Sequence, residues 1–298
     1  MDLLSPSVPT PLERLVNAEI EKAEVQLYIK RDDLIHPTVS GNKWRKLKYN
    51  LLDAQARGEG TVLTFGGAYS NHLYATAAAG NALGLKTIGI VRGLELEGKE
   101  NETLRFCRQH GMQLHFVSRE EYRQRHLEAY LQEVARRFGN PYLIPEGGTT
   151  ELALKGVAEM VFEIESQLGS IPDFIATAAG TGGTAAGILS AGANVLAFSV
   201  LKGGDFLQED IFRLLAKCKQ PGNLTLLADY HFGGYAKWNS ELQAFMQDFR
   251  AEFDIQLEQV YTAKMFFGLF DLIRKGFFRA GTTIVAVHTG GLQGLIKA

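Results

Sequence analysis

Phe174-Ile175-Ala176-Thr177-Ala178-Ala179 runs directly into Gly180-Thr181-Gly182-Gly183-Thr184, and Ala185 to Ala191 follows as a run of small residues. An apolar stretch, a glycine cluster and a small-residue stretch read as a buried strand, a tight loop and a helix. Exposed N–H groups at that helix N-terminus, with two threonine hydroxyls, make an anion site for which a phosphate is the obvious guest. The bland alternative is a strand–helix turn packed in the interior. The third glycine of a dinucleotide fingerprint would fall late, at Gly187, and no acidic residue stands at the ribose spacing, which disfavours a dinucleotide. Residues 174–201 carry no Asp, Glu, Lys or Arg. The stretch is long enough to cross a bilayer, but its five glycines fit a buried strand, loop and helix better.

Outward from this unit the same alternation recurs. Residues 25–29, 61–65, 87–91, 113–117, 195–200 and 283–287 read as strands, and 43–57, 72–83, 120–138, 152–168, 240–253 and 263–275 as helices. Strand and helix in turn indicate an α/β fold with largely parallel sheet, and the near-continuous apolar strands suit burial on both faces. Further glycine pairs, Gly66-Gly67, Gly147-Gly148 and Gly290-Gly291, fall where strands end. That is where open α/β sheets bind ligands. No composition break marks a linker, so two domains would have to interleave in sequence.

The 298 residues are 46% hydrophobic, 21% charged and 10% aromatic, which argues against disorder and coiled coil. A formal charge of -2 speaks against a nucleic-acid partner. Cys107 and Cys218 lie far apart without CxxC spacing, so neither a disulfide framework nor a thiolate metal site is expected, and a reducing, cytoplasmic setting is natural. Met1 to Pro6 lacks the pattern of a secretory leader, and no membrane partner is expected. Residues 93–100 almost spell a P-loop, but Glu100 stands where a magnesium-binding hydroxyl belongs.

Lys43 follows Gly41-Asn42 at the start of an expected helix, where the positive end of the helix dipole disfavours it. It could be an exposed lysine among the basic residues Arg45, Lys46 and Lys48. The functional reading is an amine of lowered pKa that forms an imine with a carbonyl. A lysine and a phosphate loop together suggest pyridoxal 5'-phosphate (PLP).

Seven ordered segments carry a resemblance. They are Pro9-Thr10-Pro11-Leu12 with Ile29 to Leu34, Gly41-Asn42-Lys43 with Arg45-Lys46-Leu47, Ser70-Asn71-His72, Ile144 to Gly148, Asp229-Tyr230 through Tyr235, Val260-Tyr261-Thr262 with Lys264, and His288-Thr289-Gly290-Gly291. Over nearly its whole length the chain resembles the 1-aminocyclopropane-1-carboxylate (ACC) deaminase/D-cysteine desulfhydrase family of fold type II PLP enzymes. The resemblance implies two interleaved three-layer α/β/α domains with mostly parallel sheets and PLP at their interface. Residues 1–45 plus 157–298 would form the large domain and 46–156 the small one, and the molecule would be a homodimer without a metal.

It also implies roles. Lys43 would bind the cofactor and, once displaced, act as the proton-transfer base. Gly180, Thr181, Gly182, Gly183 and Thr184 would hold the phosphate. Asn71 would bond the pyridine hydroxyl, and Thr289 would approach the ring nitrogen. Ser70, with the backbone of Asn71 and His72, would bind the substrate carboxylate and would itself count among the catalytic residues. Tyr235, Tyr261 and Thr262 would line the substrate side, the two tyrosines as catalytic groups. Singly, each residue has a plainer use: Ser70 as a helix N-cap, His72 as a cap, the tyrosines as packing.

The implied activity removes the α-proton of a small amino acid and eliminates to an α-keto acid and ammonia. His72, Thr262 and Thr289 resemble the D-cysteine desulfhydrase side of the family, giving pyruvate, sulfide and ammonia. ACC deamination to 2-oxobutanoate is the alternative, and a non-catalytic PLP-fold binding protein the alternative from another class. His231-Phe232-Gly233-Gly234 departs from the family's usual Phe-Ala-Pro-Gly, which leaves the identity of the amino acid open.

Overall fold

A computed structural model of the chain describes residues 4–99 and 101–295. Met1 to Leu3, on which the reading of the N-terminus partly rests, and Glu100 of the near P-loop lie outside them. The strands are β1 (Leu12–Leu15), β2 (Gln26–Lys30), β3 (Thr61–Gly67), β4 (Lys86–Arg92), β5 (Met112–Val117), β6 (Tyr142–Ile144), β7 (Phe174–Ala179), β8 (Val195–Ser199), β9 (Leu224–Leu227) and β10 (Thr283–Val287). The helices are α1 (Ala18–Lys22), α2 (Asn42–Ala56), α3 (Asn71–Leu83), α4 (Glu102–Gln109), α5 (Arg119–Arg123), α6 (Glu128–Arg137), α7 (Glu151–Leu168), α8 (Gly183–Ser190), α9 (Leu207–Leu214), α10 (Ser240–Phe253) and α11 (Thr262–Arg274).

The strands form two sheets, ordered β1-β2-β10-β7-β8-β9 and β5-β4-β3-β6. Every pairing is parallel except β1 with β2. Strand periodicity makes both faces of the larger sheet apolar. Ala176, Phe198, Ile284 and Ala286 face one core with α10 and α11, while their neighbours Ile175, Ala197, Val285 and Val287 face another with α7, α8 and α9. The smaller sheet is covered likewise, Val62 towards α2 and α3, Leu63 and Phe65 towards α5 and α6. The fold is therefore mixed α/β with two mostly parallel sheets, as the alternating pattern implies. Among the described residues no helix is long and apolar enough to cross a membrane, and residues 174–201 are β7, α8 and β8.

One expected element differs. Residues 120–138 form two helices, α5 and α6, with a turn between them. There the Arg125 side chain donates to the Tyr122 carbonyl at 3.1 Å and to Glu146 at 2.6 Å, so a long-range ion pair holds the chain out of helical register.

Helix α2 joins the two halves. Leu47, Leu51 and Ala54 pack with Ala75, Ala79 and Ile144 beneath the small sheet, while the other side of α2 meets α7 so closely that a Cβ at Gly156 would strike the Arg45 carbonyl. The Arg45 side chain, 1% exposed, bonds Asp32 at 2.6 and 2.7 Å and Glu163 at 2.9 and 2.9 Å. Lys30 adds a 2.9 Å contact to Glu163. Arg45 and Lys46, two of the basic neighbours thought to share an exposed face with Lys43, are thus buried. Replacing Gly156 by Ala wedges α2 from α7 and is expected to cost about 1–3 kcal/mol or more. Gly60→Ala, where nothing lies within 4 Å, serves as control. Urea midpoints measure both, and equal midpoints would contradict the close approach.

Candidate active site

Gly41 caps α2 with φ 64° and no side-chain cap. A Cβ at that position would collide with the Thr289 carbonyl, so glycine brings the start of α2 against the end of β10. Asn42 N–H lies 3.4 Å from the same carbonyl. Its side chain then links two expected partners. The Lys43 amine donates to Asn42 Oδ1 at 2.9 Å, and Asn42 Nδ2 donates to the Thr184 hydroxyl at 2.8 Å. Two hydrogen bonds separate the lysine nitrogen from the glycine loop. Loss of hydration lowers the Lys43 pKa to about 8, against a weaker opposing pull from Glu258.

The loop itself is built for a close guest. Gly182 has φ 73° and starts α8, whose first residues Gly183 and Thr184 are buried. A Cβ on Gly183 would lie 2.7 Å from Thr149 Oγ1 and 2.8 Å from Lys46 Nζ. The Lys46 amine donates to Thr149 Oγ1 at 2.8 Å, and that hydroxyl lies 2.9 Å from Thr181 Oγ1. Burial, then the nearby Lys43, push the Lys46 pKa well below the lysine range. The half-buried Lys43 amine and the buried Lys46 amine, each with one hydrogen-bond acceptor among the described residues, thus sit beside a helix N-terminus. That donor set calls for an anion. The desolvated amine of Lys43 next to it suits an aldehyde, so the residues present fit PLP.

Ser70 caps α3, its Oγ accepting from His72 and Leu73 N–H groups at 3.2 Å each. The plainer expectation for Ser70 is therefore met, and its own hydroxyl hydrogen stays available to a ligand. Asn71 Oδ1 accepts from Gln293 at 2.9 Å. His72 is 2% exposed and bonds Thr64 at 2.8 Å.

Tyr235 and Tyr261 pack edge to face with centroids 6.0 Å apart. Tyr261 also covers the loop, since a Cβ on Gly180 would lie 3.1 Å from its ring. Tyr235 keeps 39% of its surface exposed. Loss of hydration raises both phenol pKa values, for Tyr261 well above its usual 10, so both hold their protons at neutral pH. Thr262 is fully buried, and its hydroxyl is engaged with the backbone of Glu258, at 2.9 Å to N and 3.3 Å to O. Thr289 is 8% exposed and meets Gly41 and Asn42 through its carbonyl.

Three residues, two of them quoted only as motif members, were given no role by the sequence reading. Lys46 lies one helical turn from Lys43, a spacing that could have flagged it. Glu258 is 2% exposed and accepts from the N–H groups of Val260, Tyr261 and Thr262 at 2.6 to 2.7 Å, fixing the turn that carries Tyr261. The Lys264 amine donates to the carbonyls of His231 and Gly234 at 2.8 Å each, anchoring the divergent loop before Tyr235.

Several known proteins resemble the chain along most of its length. Residues 4–196 match the sequence profile of the pyridoxal-phosphate dependent enzymes. A putative ACC deaminase from Pyrococcus horikoshii is 34% identical, the match covering 96% of this chain and 90% of that protein. A bifunctional D-cysteine desulfhydrase/ACC deaminase of Arabidopsis thaliana mitochondria is 35% identical, over 97% of this chain and 77% of that one. The crystal structure of an ACC deaminase homologue superposes with TM-score 0.79 at 32% identity, covering 96% and 90% of the two chains. With a lysine amine, an anion loop and a match along almost its entire length, the chain belongs to the ACC deaminase/D-cysteine desulfhydrase family of pyridoxal-phosphate dependent enzymes.

Proposed function

We propose that this enzyme converts D-cysteine and water to pyruvate, hydrogen sulfide and ammonia. The observation that carries the proposal is the partly neutral Lys43 amine, two hydrogen bonds from an anion loop. The cofactor, when bound, supplies an electron sink that acidifies the α-proton of an amino acid attached through its nitrogen. Lys43 takes that proton at Nζ. Ser70 gives its free hydroxyl hydrogen to the substrate carboxylate, with the N-terminus of α3 behind it. Asn71, Thr289 and Thr184 with the glycine loop hold the cofactor, and the Lys46 amine, its pKa lowered by burial, donates a hydrogen bond to the phosphate, whose charge favours the protonated form. Tyr235 and Tyr261 stay protonated and face the departing sulfur.

The same amine supports a second reading, hydrolytic ring opening of ACC to 2-oxobutanoate and ammonia, and the Arabidopsis relative's name joins the two activities. D-cysteine is preferred because Thr262 stands where ACC deaminases of the resembled family carry Glu. The Glu258 carboxylate at the same turn is committed to three N–H groups. Division into residues 1–45 plus 157–298 and 46–156 is also proposed. It is supported by the two sheets, and both limits fall inside the paired helices α2 and α7. The proposal includes a homodimer, on the family resemblance alone.

Side-by-side assays of pyruvate plus sulfide from D-cysteine and 2-oxobutanoate from ACC test the substrate. D-cysteine should be turned over faster and Lys43→Ala should abolish both reactions, whereas activity on ACC alone would reject the preference. Because only the unprotonated amine attacks an aldehyde, the rate of PLP capture by cofactor-free protein should rise with pH, be half-maximal near pH 8 and level off about one unit above. A rise continuing to the ordinary lysine value of 10.5 would contradict the desolvated amine. Lys46→Gln removes one charged hydrogen bond to the phosphate and should weaken PLP binding about tenfold to a hundredfold in a fluorescence titration. Unchanged affinity would remove Lys46 from the site.

A further inference from the structure

The segment that carries Tyr235 lies along one face of α11. The Tyr230 hydroxyl donates to Asp271 at 2.7 Å, and a Cβ on Gly268 would come within 2.8 Å of the Tyr230 ring. Phe232 packs edge to face on Phe267 with centroids 4.9 Å apart. The Lys264 amine donates to the carbonyls of His231 and Gly234 at 2.8 Å each. Tyr235 meets the ring of Tyr261, the N-cap of α11. Positions 261, 264, 267 with 268, and 271 form one stripe of a helix, so the segment is held at each successive turn. The hold of Lys264 falls on the backbone, and the Gly234 carbonyl belongs to the peptide bond that leads into Tyr235.

That backbone does not follow a relaxed path. Phe232, Gly233, Gly234 and Ala236 have φ of 51°, 92°, 118° and 55°. For Phe232 and Ala236 such values are uncommon and costly, and they persist where the surroundings impose them. Lys264 is 0% exposed, an expensive place for an amine. Its acceptors are not in need of it. The His231 carbonyl also accepts from Gly234 N–H at 3.0 Å, and the Gly234 carbonyl from Lys237 N–H at 3.2 Å, so each would keep a partner without the lysine. What the lysine adds is attachment: two successive turns, 231–234 and 234–237, are pinned to the helix start that carries Tyr261. Tyr261 in turn covers the glycine loop at Gly180.

We propose that Lys264 is a positioning residue for Tyr235. By holding the carbonyl of the Gly234–Tyr235 peptide it sets the Tyr235 phenol beside Tyr261, on the substrate side of the glycine loop. Lys264 acts through Tyr235 and neither gains nor loses a proton in doing so. The inference rests on the reading that Tyr235 takes part in turnover.

Fluorine NMR of the PLP-loaded protein carrying 3-fluorotyrosine reads the ring's place, with Tyr235→Phe and Tyr261→Phe identifying the two signals. Lys264→Met keeps the apolar stem and removes the donors, so the fold should survive. Its Tyr235 signal should shift or broaden while the cofactor's absorption band stays in place. An unmoved signal overturns the proposal, and so does loss of the band, which would show a disturbance of the whole site. On the substrate selected by the side-by-side assays, kcat should fall about tenfold to a hundredfold in Lys264→Met, with KM changed far less. In a Tyr235→Phe background the same substitution should change kcat less than about twofold. An equal fall in both backgrounds overturns the proposal. Lys264→Arg, bulkier but still a donor, should retain more kcat than Lys264→Met; the reverse order, expected from packing alone, overturns it too. Where Lys264→Met does not fold, Lys264→Gln, too short to reach both carbonyls, is read by the same criteria. Full kcat in Tyr235→Phe would instead refute the part of Tyr235 in turnover and leave the fluorine result standing.

Discussion

The site depends on the seating of the first turn of α2 against the carbonyl of Thr289. Only a glycine at position 41 allows that approach, and through it the end of the last strand of the large sheet meets the lysine-bearing helix. Asn42 then ties the amine to the loop at the end of β7. The arrangement puts a half-buried lysine at the positive end of a helix, in a desolvated place, beside the buried Lys46. Each of these is unfavourable for an ammonium ion, and together they favour a neutral amine, the form able to react with an aldehyde.

Holding such a helix start in place takes structure elsewhere. Arg45 is two residues from Lys43 and its charge is buried between Asp32 and Glu163. Such a group contributes little net stability, since both partners lose hydration, but removing one member leaves a buried charge unpaired. It therefore fixes the position of α2 more than it strengthens the fold. Gly156 lets α7 come close enough for the same contact. The helix that delivers the lysine is thus gripped by large-sheet elements on one side and small-sheet elements on the other.

Much of this was legible in the chain. The glycine clusters at 66–67, 147–148, 180–184 and 290–291 mark strand ends, and each borders the site, because ligand approach at the ends of parallel strands requires bare backbone. The strand at 283–287 falls where the apolar run predicts it. Strands β1, β6 and β9 were not legible, being three or four residues long with little or no alternating pattern. Lys46 was lost among neighbouring basic residues because composition cannot say which face of a helix is buried. The break between α5 and α6 depends on Glu146, some twenty residues away, a contact local periodicity does not record. Glu258 is an ordinary residue whose importance lies in the turn it fixes, and only the folded structure reveals that.

The central claim is that the nitrogen of Lys43, and no other amine, meets the cofactor aldehyde. Reducing the PLP-loaded protein with borohydride makes that bond permanent, and peptide mass mapping then locates the pyridoxyl group. The account predicts the label on Lys43. A label on Lys46, or on a surface lysine, would contradict it.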